Sequence, residues 1–276
     1  MIVVDNKIVN ASFVNDEDKN DPLAQDILRT LMRSKDSNIY KSNRELSFDI
    51  SLRKSIVNAS KLMSVSGMQF QTFRRAYCNP MFWIRTPQGG FLVRPGVRPS
   101  DAINDIFRFG RFYATECATA IIIIFYKALL DLYGYNVFDQ LFDGIYLFTW
   151  NYDSNLAVKS TDIDIASPGD VVYFKNPQVD PFTPEWQGEN TVVMGNNYYF
   201  GHGIGIKSSQ EIIFHLNHHR FPFAMISAFL TKLTTRIDAN EMAKHLIGDF
   251  KLTPVNTKAI SSDVITASIG DQNQIA

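Results

Sequence analysis

Between Ala114 and Tyr126 the chain reads ATECATAIIIIFY, and apolar residues continue to dominate as far as Gly134. A helix built from such a run has no polar stripe to show to water, so other elements must surround it on every side. That requirement sets the plan of the molecule, a buried central helix with a shell around it. At 45% hydrophobic residues in a length of 276, the chain carries enough apolar material for that shell. The most apolar stretch, Ala120 to Tyr126, is short for a bilayer span, and no membrane partner is expected.

The shell reads as helices first and strands afterwards, which predicts an α+β fold. Ile2 to Val9 reads as a strand or hairpin, and Pro22 opens a helix through about Met32. Ser42 with Glu45 predicts a capping box opening a long helix that ends near Gly67. Trp83 to Val93 predicts a hairpin around Pro87-Gln88-Gly89-Gly90, and Ser100 a cap for a short helix stopped at Gly110.

From Ile145 the β-branched and aromatic runs Ile145–Trp150, Val171–Phe174, Thr191–Met194, Tyr198–Ile206, Glu211–Leu216 and Met225–Thr234 predict an antiparallel sheet in meander order. Asp238 with Glu241 predicts a last helix to about Ile247. Residues 1–250 then form a single domain, and the polar stretch 251–276 a loosely held tail.

Composition narrows the function. Lys and Arg total 27 against 28 acidic residues, so nucleic acid is not an expected partner. The start MIVVDNKIVNAS lacks the basic n-region and apolar core of a secretory signal, so synthesis in the cytoplasm is expected. Two cysteines, Cys78 and Cys117, give no disulfide framework and leave each thiol to be judged by context. Cys78 reads as a structural thiol.

Thr115 reads as the N-cap of the central helix, with Cys117 in the first turn, where free N–H groups and the helix dipole favour a thiolate. His202 sits among glycines in Tyr199-Phe200-Gly201-His202-Gly203, and Glu189 in Trp186-Gln187-Gly188-Glu189-Asn190 on the preceding strand. A two-residue loop at Gly195-Asn196 makes facing residue numbers sum to 391, which sets Glu189 opposite His202. A cysteine at a buried helix N-terminus followed by strands bearing His and a carboxylate is the papain-like order of elements. Spacing alone stops at a cysteine acyl-transfer enzyme, because hydrolysis and amine transfer share the thioester.

His215, His218 and His219 have metal-ligand spacing but no acidic or thiol pair beside them, so no metal is expected. The run Gly201-His202-Gly203-Ile204-Gly205 continues a strand and opens no helix, so it is not a phosphate loop.

The segments GRFYATECATAIIIIFY, VVYFKNP, EWQGEN and YYFGHGIGI closely resemble the spore-coat transglutaminases of spore-forming bacteria, over roughly residues 1–247. The resemblance implies a papain-like core and calcium-independent protein-glutamine gamma-glutamyltransferase activity without a cofactor. It implies Cys117 as nucleophile, Glu189 as its principal partner in preference to His202, His202 as a further member, and Glu116 as a carboxylate that partly substitutes for Glu189. Phe70, Trp150 and Trp186 match positions lining the family's substrate tunnel. Partners would be proteins with reactive Gln and Lys, in the spore coat, after synthesis in the mother cell. Two alternatives stay open: a cysteine amidase or peptidase acting on cell wall, and a coat scaffold without catalysis.

Overall fold

The computed structural model describes residues 1–9 and 16–246, so the expected tail 251–276 and the expected helix end at Ile247 lie outside the described residues. The chain opens as β1 (Ile2–Val4) and β2 (Lys7–Ile8), a hairpin turned through Asp5 and Asn6 at positive φ. After α1 (Asp16–Lys19) and α2 (Pro22–Arg33), β3 (Asn38–Tyr40) runs parallel to β1. Asp21 caps α2 by accepting from the N–H groups of Leu23 and Ala24. Ser42 caps α3 (Asn43–Val65) as expected, while the Glu45 carboxylate reaches back to the N–H of Lys41.

The next stretch is built of short pieces: β4 (Gln69–Phe70), the hairpin β5 (Trp83–Arg85) and β6 (Phe91–Val93), α4 (Pro99–Arg108) and β7 (Ala114–Thr115). Ser100 does not cap α4. Arg98 occupies that position, and Ser100 bonds through N and Oγ to Asp139, 2.8 Å each. Strands β4 and β7 pair in parallel, Phe70 opposite Thr115.

The central helix α5 (Cys117–Leu141) is broken where the sequence predicts its end, at Gly134 with φ 73° and ψ 173°. Its Ile121, Ile122, Ile123 and Ile124 are all fully buried, each side chain contributing about 1.5–3 kcal/mol. Alone, α5 is long and apolar enough to cross a membrane, so length does not exclude it; here it is packed within the protein core. Helices α3 and α4 pack along it, and the main sheet meets it through β11.

The sheet is made of β9 (Val158–Asp162), β10 (Val171–Lys175), β11 (Gly188–Gly195), β12 (Tyr198–Gly201), β13 (Gly205–Ser208) and, after α6 (Ser209–Asn217), β14 (Phe229–Ile237), with α7 (Ala239–Ala243) following. Its order is β13-β12-β11-β10-β14-β9. Only β10 to β13 form a meander, because β14 returns to insert between β9 and β10. The predicted strand Glu211–Leu216 is helix α6, opened by a full capping box from Ser208 and Glu211. From the predicted strand Ile145–Trp150 only β8 (Tyr146–Leu147) forms, and it joins β6 instead of the main sheet.

One buried ionic cluster ties α3 to the sheet. Arg53 donates to Asp49 (3.0 Å) and to Asp170 (2.8 Å), Arg236 of β14 donates to Asp170 (2.7 Å), and the Tyr40 hydroxyl donates to Asp49. Burial works to raise the Asp170 carboxyl, but the two guanidinium groups outweigh it and hold it below its usual value.

Candidate active site

Cys117 is the first residue of α5, and its N-cap is Glu116. The expected cap, Thr115, is held extended in β7 by its pairing with Phe70, so the cap falls one residue later. The Glu116 carboxylate folds over the helix start and accepts from the N–H groups of Ala118 (2.5 Å) and Thr119 (2.8 Å), and from the Thr119 hydroxyl. Backbone donors expected to stabilise a thiolate are therefore already engaged by a carboxylate.

The electrostatic consequence reverses the expectation. Burial, then the charges of Glu189 and Glu116, push the Cys117 thiol up to about 12, while hydrogen bonds from Asn190 act in the other direction. The resting sulfur is a neutral thiol. Asn190 Nδ2 lies 3.4 Å from it. Glu189 is buried at 1% exposure, and that burial together with Glu116 raises its carboxyl well above the ordinary range, although the His202 N–H opposes the shift. One Glu189 oxygen is buried without a hydrogen-bond partner among the described residues.

The predicted register is off by one. The β11–β12 turn is made by Asn196 and Asn197, both at positive φ, and a bulge next to Gly195 shifts the ladder so that Thr191 faces Gly201. Continued, that register puts Asn190, not Glu189, opposite His202. Glu189 instead pairs with Phe174 across β10 and passes over Gly201, where a Cβ would sit 3.0 Å from its carboxylate oxygen. His202 directs Nε2 to the Gln69 carbonyl at 3.1 Å, and burial lowers its imidazole to about 4. The ring thus stays neutral and links β12 to β4.

Cys117 opens onto a cavity of about 690 Å³ walled by Phe70, Trp150 and Tyr173 and edged by Glu116, Glu185 and Leu233. Phe70 rests on Gly203, where φ is +99° and a Cβ would stand 2.9 Å from the Phe70 Cβ. Trp186, expected on the wall, packs behind it, stacked on Phe70 at 5.7 Å and on His219 at 4.4 Å. His215 meets the same indole edge-on at 4.9 Å. Asn190 and Tyr173 were not singled out by sequence reasoning. They are cross-strand partners in β10 and β11, a relation visible only once the register is known. Cys78 is half-buried against the core, its thiol pushed up to about 11 by burial.

The family model described as protein-glutamine gamma-glutamyltransferase matches residues 1–246. The chain belongs to the protein-glutamine gamma-glutamyltransferase family. Curated enzymes of that name from Bacillus cereus (strain AH820) and Bacillus anthracis are each 45% identical to this transglutaminase over 276 residues, all of both chains. Residues 251–276, read from sequence as a loosely held tail, thus have counterparts in these relatives. A solved structure titled transglutaminase from Geobacillus stearothermophilus (without C-terminal extension) has 44% identity and a TM-score of 0.72. It covers 75% of this chain and 99% of its own. The α+β fold, with its central helix packed on an antiparallel sheet, is therefore that of a bacterial transglutaminase with a papain-like core. The transglutaminase acts on proteins bearing reactive glutamine and lysine.

Proposed function

We propose that Cys117 is the nucleophile of this transglutaminase and Glu189 its acid–base partner. The observation carrying the reading is the placement of Cys117 at the start of α5, hydrogen-bonded by Asn190 and facing the cavity, with Glu189, the residue before Asn190, buried and one of its oxygens without a partner among the described residues. As Sγ attacks the glutamine carboxamide carbon, its proton passes to Glu189. The C–N bond breaks, Glu189 returns the proton to the departing ammonia, and a thioester remains. Lysine Nζ then attacks the thioester carbon, giving up a proton through Glu189 to the leaving sulfur, and an isopeptide bond is left.

The developing oxyanion needs a donor that Glu116 has not taken, and the Asn190 amide meets that need. His202 and Trp186 act by holding β4 and Phe70. The aromatic walls favour amine over water, because they admit the methylene stem of lysine and restrict solvent.

We infer further that the enzyme works without calcium and serves spore-coat assembly, being made in the mother-cell cytoplasm and then laid down on the coat. The resemblance to spore-coat enzymes supports this, as does the sequence: the alternating run Asp16-Glu17-Asp18-Lys19-Asn20 has neither the glycine that an EF-hand loop needs next nor its closing glutamate, those places being Asp21 and Ile27. Incorporation of a fluorescent primary amine into casein, with and without a calcium chelator, tests activity and ion dependence together. Loss of labelling in chelator removes the calcium-independent reading. Imaging a fluorescent fusion through sporulation tests the location, and an even cytoplasmic signal in mature spores removes the coat.

A further inference from the structure

Two joined loops, one of which lines the cavity through Pro184 and Glu185, expose large apolar side chains to an unusual degree. Phe182 is 92%, Phe223 95% and Met225 89% exposed. The loops are joined to each other: Val179 pairs with Arg220, the Asp180 N–H donates to the His219 carbonyl at 2.8 Å, and the Ile226 N–H to the Gln178 side chain at 2.6 Å. Phe223 is held at φ 66°, a backbone position costly for a bulky residue. A soluble surface gains nothing from a strained phenylalanine turned outward, so the patch reads as one that is covered in use.

The first loop and the strand that follows the second both reach the cavity. Phe229 of β14 pairs with Lys175 on the face that carries Tyr173, and Leu233 of the same strand is on the cavity wall, as is Glu185, three residues after Phe182. The residues lining the cavity include two glutamates, Glu116 and Glu185, and no lysine, arginine or histidine. An approaching ammonium is drawn by that balance; a neutral carboxamide is not.

We propose that this apolar shoulder docks the lysine-bearing substrate protein, and that the enzyme selects lysines flanked by large apolar residues. The inference rests on the proposed transfer to lysine and adds to it which side of the reaction the shoulder serves. The acceptor's flanking side chains cover Phe182, Phe223 and Met225, and its ammonium is steered past Glu185 and loses one proton to solvent before the neutral Nζ meets the thioester.

The test uses the full chain and three acceptors with one small glutamine dipeptide as donor: a lysine peptide with leucine and phenylalanine flanks, the same peptide with serine flanks, and a short alkyl diamine. The expected result is a preference of about tenfold or more in kcat/KM for the apolar-flanked peptide. That preference should be lost through KM in the triple variant Phe182→Ser, Phe223→Gly, Met225→Ser, with diamine transfer unchanged. Glycine at position 223 relieves the positive φ, so this variant should fold.

No flank preference in the wild type overturns the proposal, as does an equal fall in diamine transfer in the variant. With the diamine as acceptor and glutamine peptides with apolar or serine flanks as donors, a defect of the variant confined to the apolar-flanked donor assigns the shoulder to the donor and also overturns it. So does a wild-type dimer in sedimentation that the variant dissolves, or binding of the wild type, but not the variant, to phosphatidylcholine vesicles. Failure of the transfer reading itself looks different: the wild type would not couple even the diamine.

Discussion

Cys117 is neutral at rest because two carboxylates and burial oppose its charge, and each neighbour then has a measurable signature. Cys117→Ala should abolish amine incorporation, whereas Cys78→Ala, remote in role, should leave most of it; equal loss in both folded variants would contradict the assignment. Glu189→Gln keeps shape and removes basicity, so kcat should fall by about 10² to 10⁴. Because burial and Glu116 raise Glu189, the acid limb of kcat/KM should lie above the ordinary carboxylate range and vanish in Glu189→Gln. The same shift has a stability sign: a carboxyl raised by folding stabilises fully below its unfolded pKa, and that contribution is lost as pH rises through the folded value. Melting curves should therefore show Glu189→Gln more stable than wild type near about pH 8, with the gain fading as pH falls toward about 4. Asn190→Ala should lower kcat by about 10² to 10³ with little change in KM, if its amide meets the oxyanion. Of these residues Cys117, Glu189 and Glu116 were legible in the sequence, through helix position or resemblance. Asn190 was not, since a one-residue bulge beside Gly195 decides what faces His202, and a bulge of this kind leaves no signal in composition.

Helix α5 begins with a carboxylate where sequence reasoning expects a hydroxyl. Glu116 accepts from two backbone N–H groups and a side-chain hydroxyl, so it acts on Cys117 as a fixed charge. Glu116→Ala should cost about 0.5–2 kcal/mol as a lost cap, read by denaturant unfolding, while Glu116→Gln retains an acceptor and a larger part of that stability. If Glu116 also covers for Glu189, the double change of Glu116 and Glu189 to Gln should be slower than either single change. An α6-type error has a plain cause. Ile212-Ile213-Phe214 is too short for periodicity to separate strand from helix, and only the Ser208–Glu211 capping box separates them. Long elements were legible: α2, α3 and the break of α5 at Gly134 come where proline, capping residues and glycine set them.

At the scale of the whole molecule, the order of helices and then strands points to α+β, but not to the return of β14 beside β10, because pairing between strands so far apart in the chain is not encoded in local pattern. What locks the two layers together is Arg53, buried between Asp49 and Asp170. Arg53→Met should cost about 3–5 kcal/mol, since it leaves the buried Asp49 without a cation and Asp170 with Arg236 alone, and specific activity of the folded fraction should persist. Asp170, held low by folding, contributes stability above its unfolded pKa that is lost as pH falls through the folded value, so acid unfolding should begin at higher pH in that variant. The recessed, protonated sulfur has a last consequence, for endurance. Peroxides and alkylating agents consume thiolates, and a thiol pushed up to about 12 offers almost none to them at neutral pH. If Cys117 is the nucleophile, the resting enzyme should keep its activity on storage without a reductant, and iodoacetamide should label Cys117 more slowly than free cysteine.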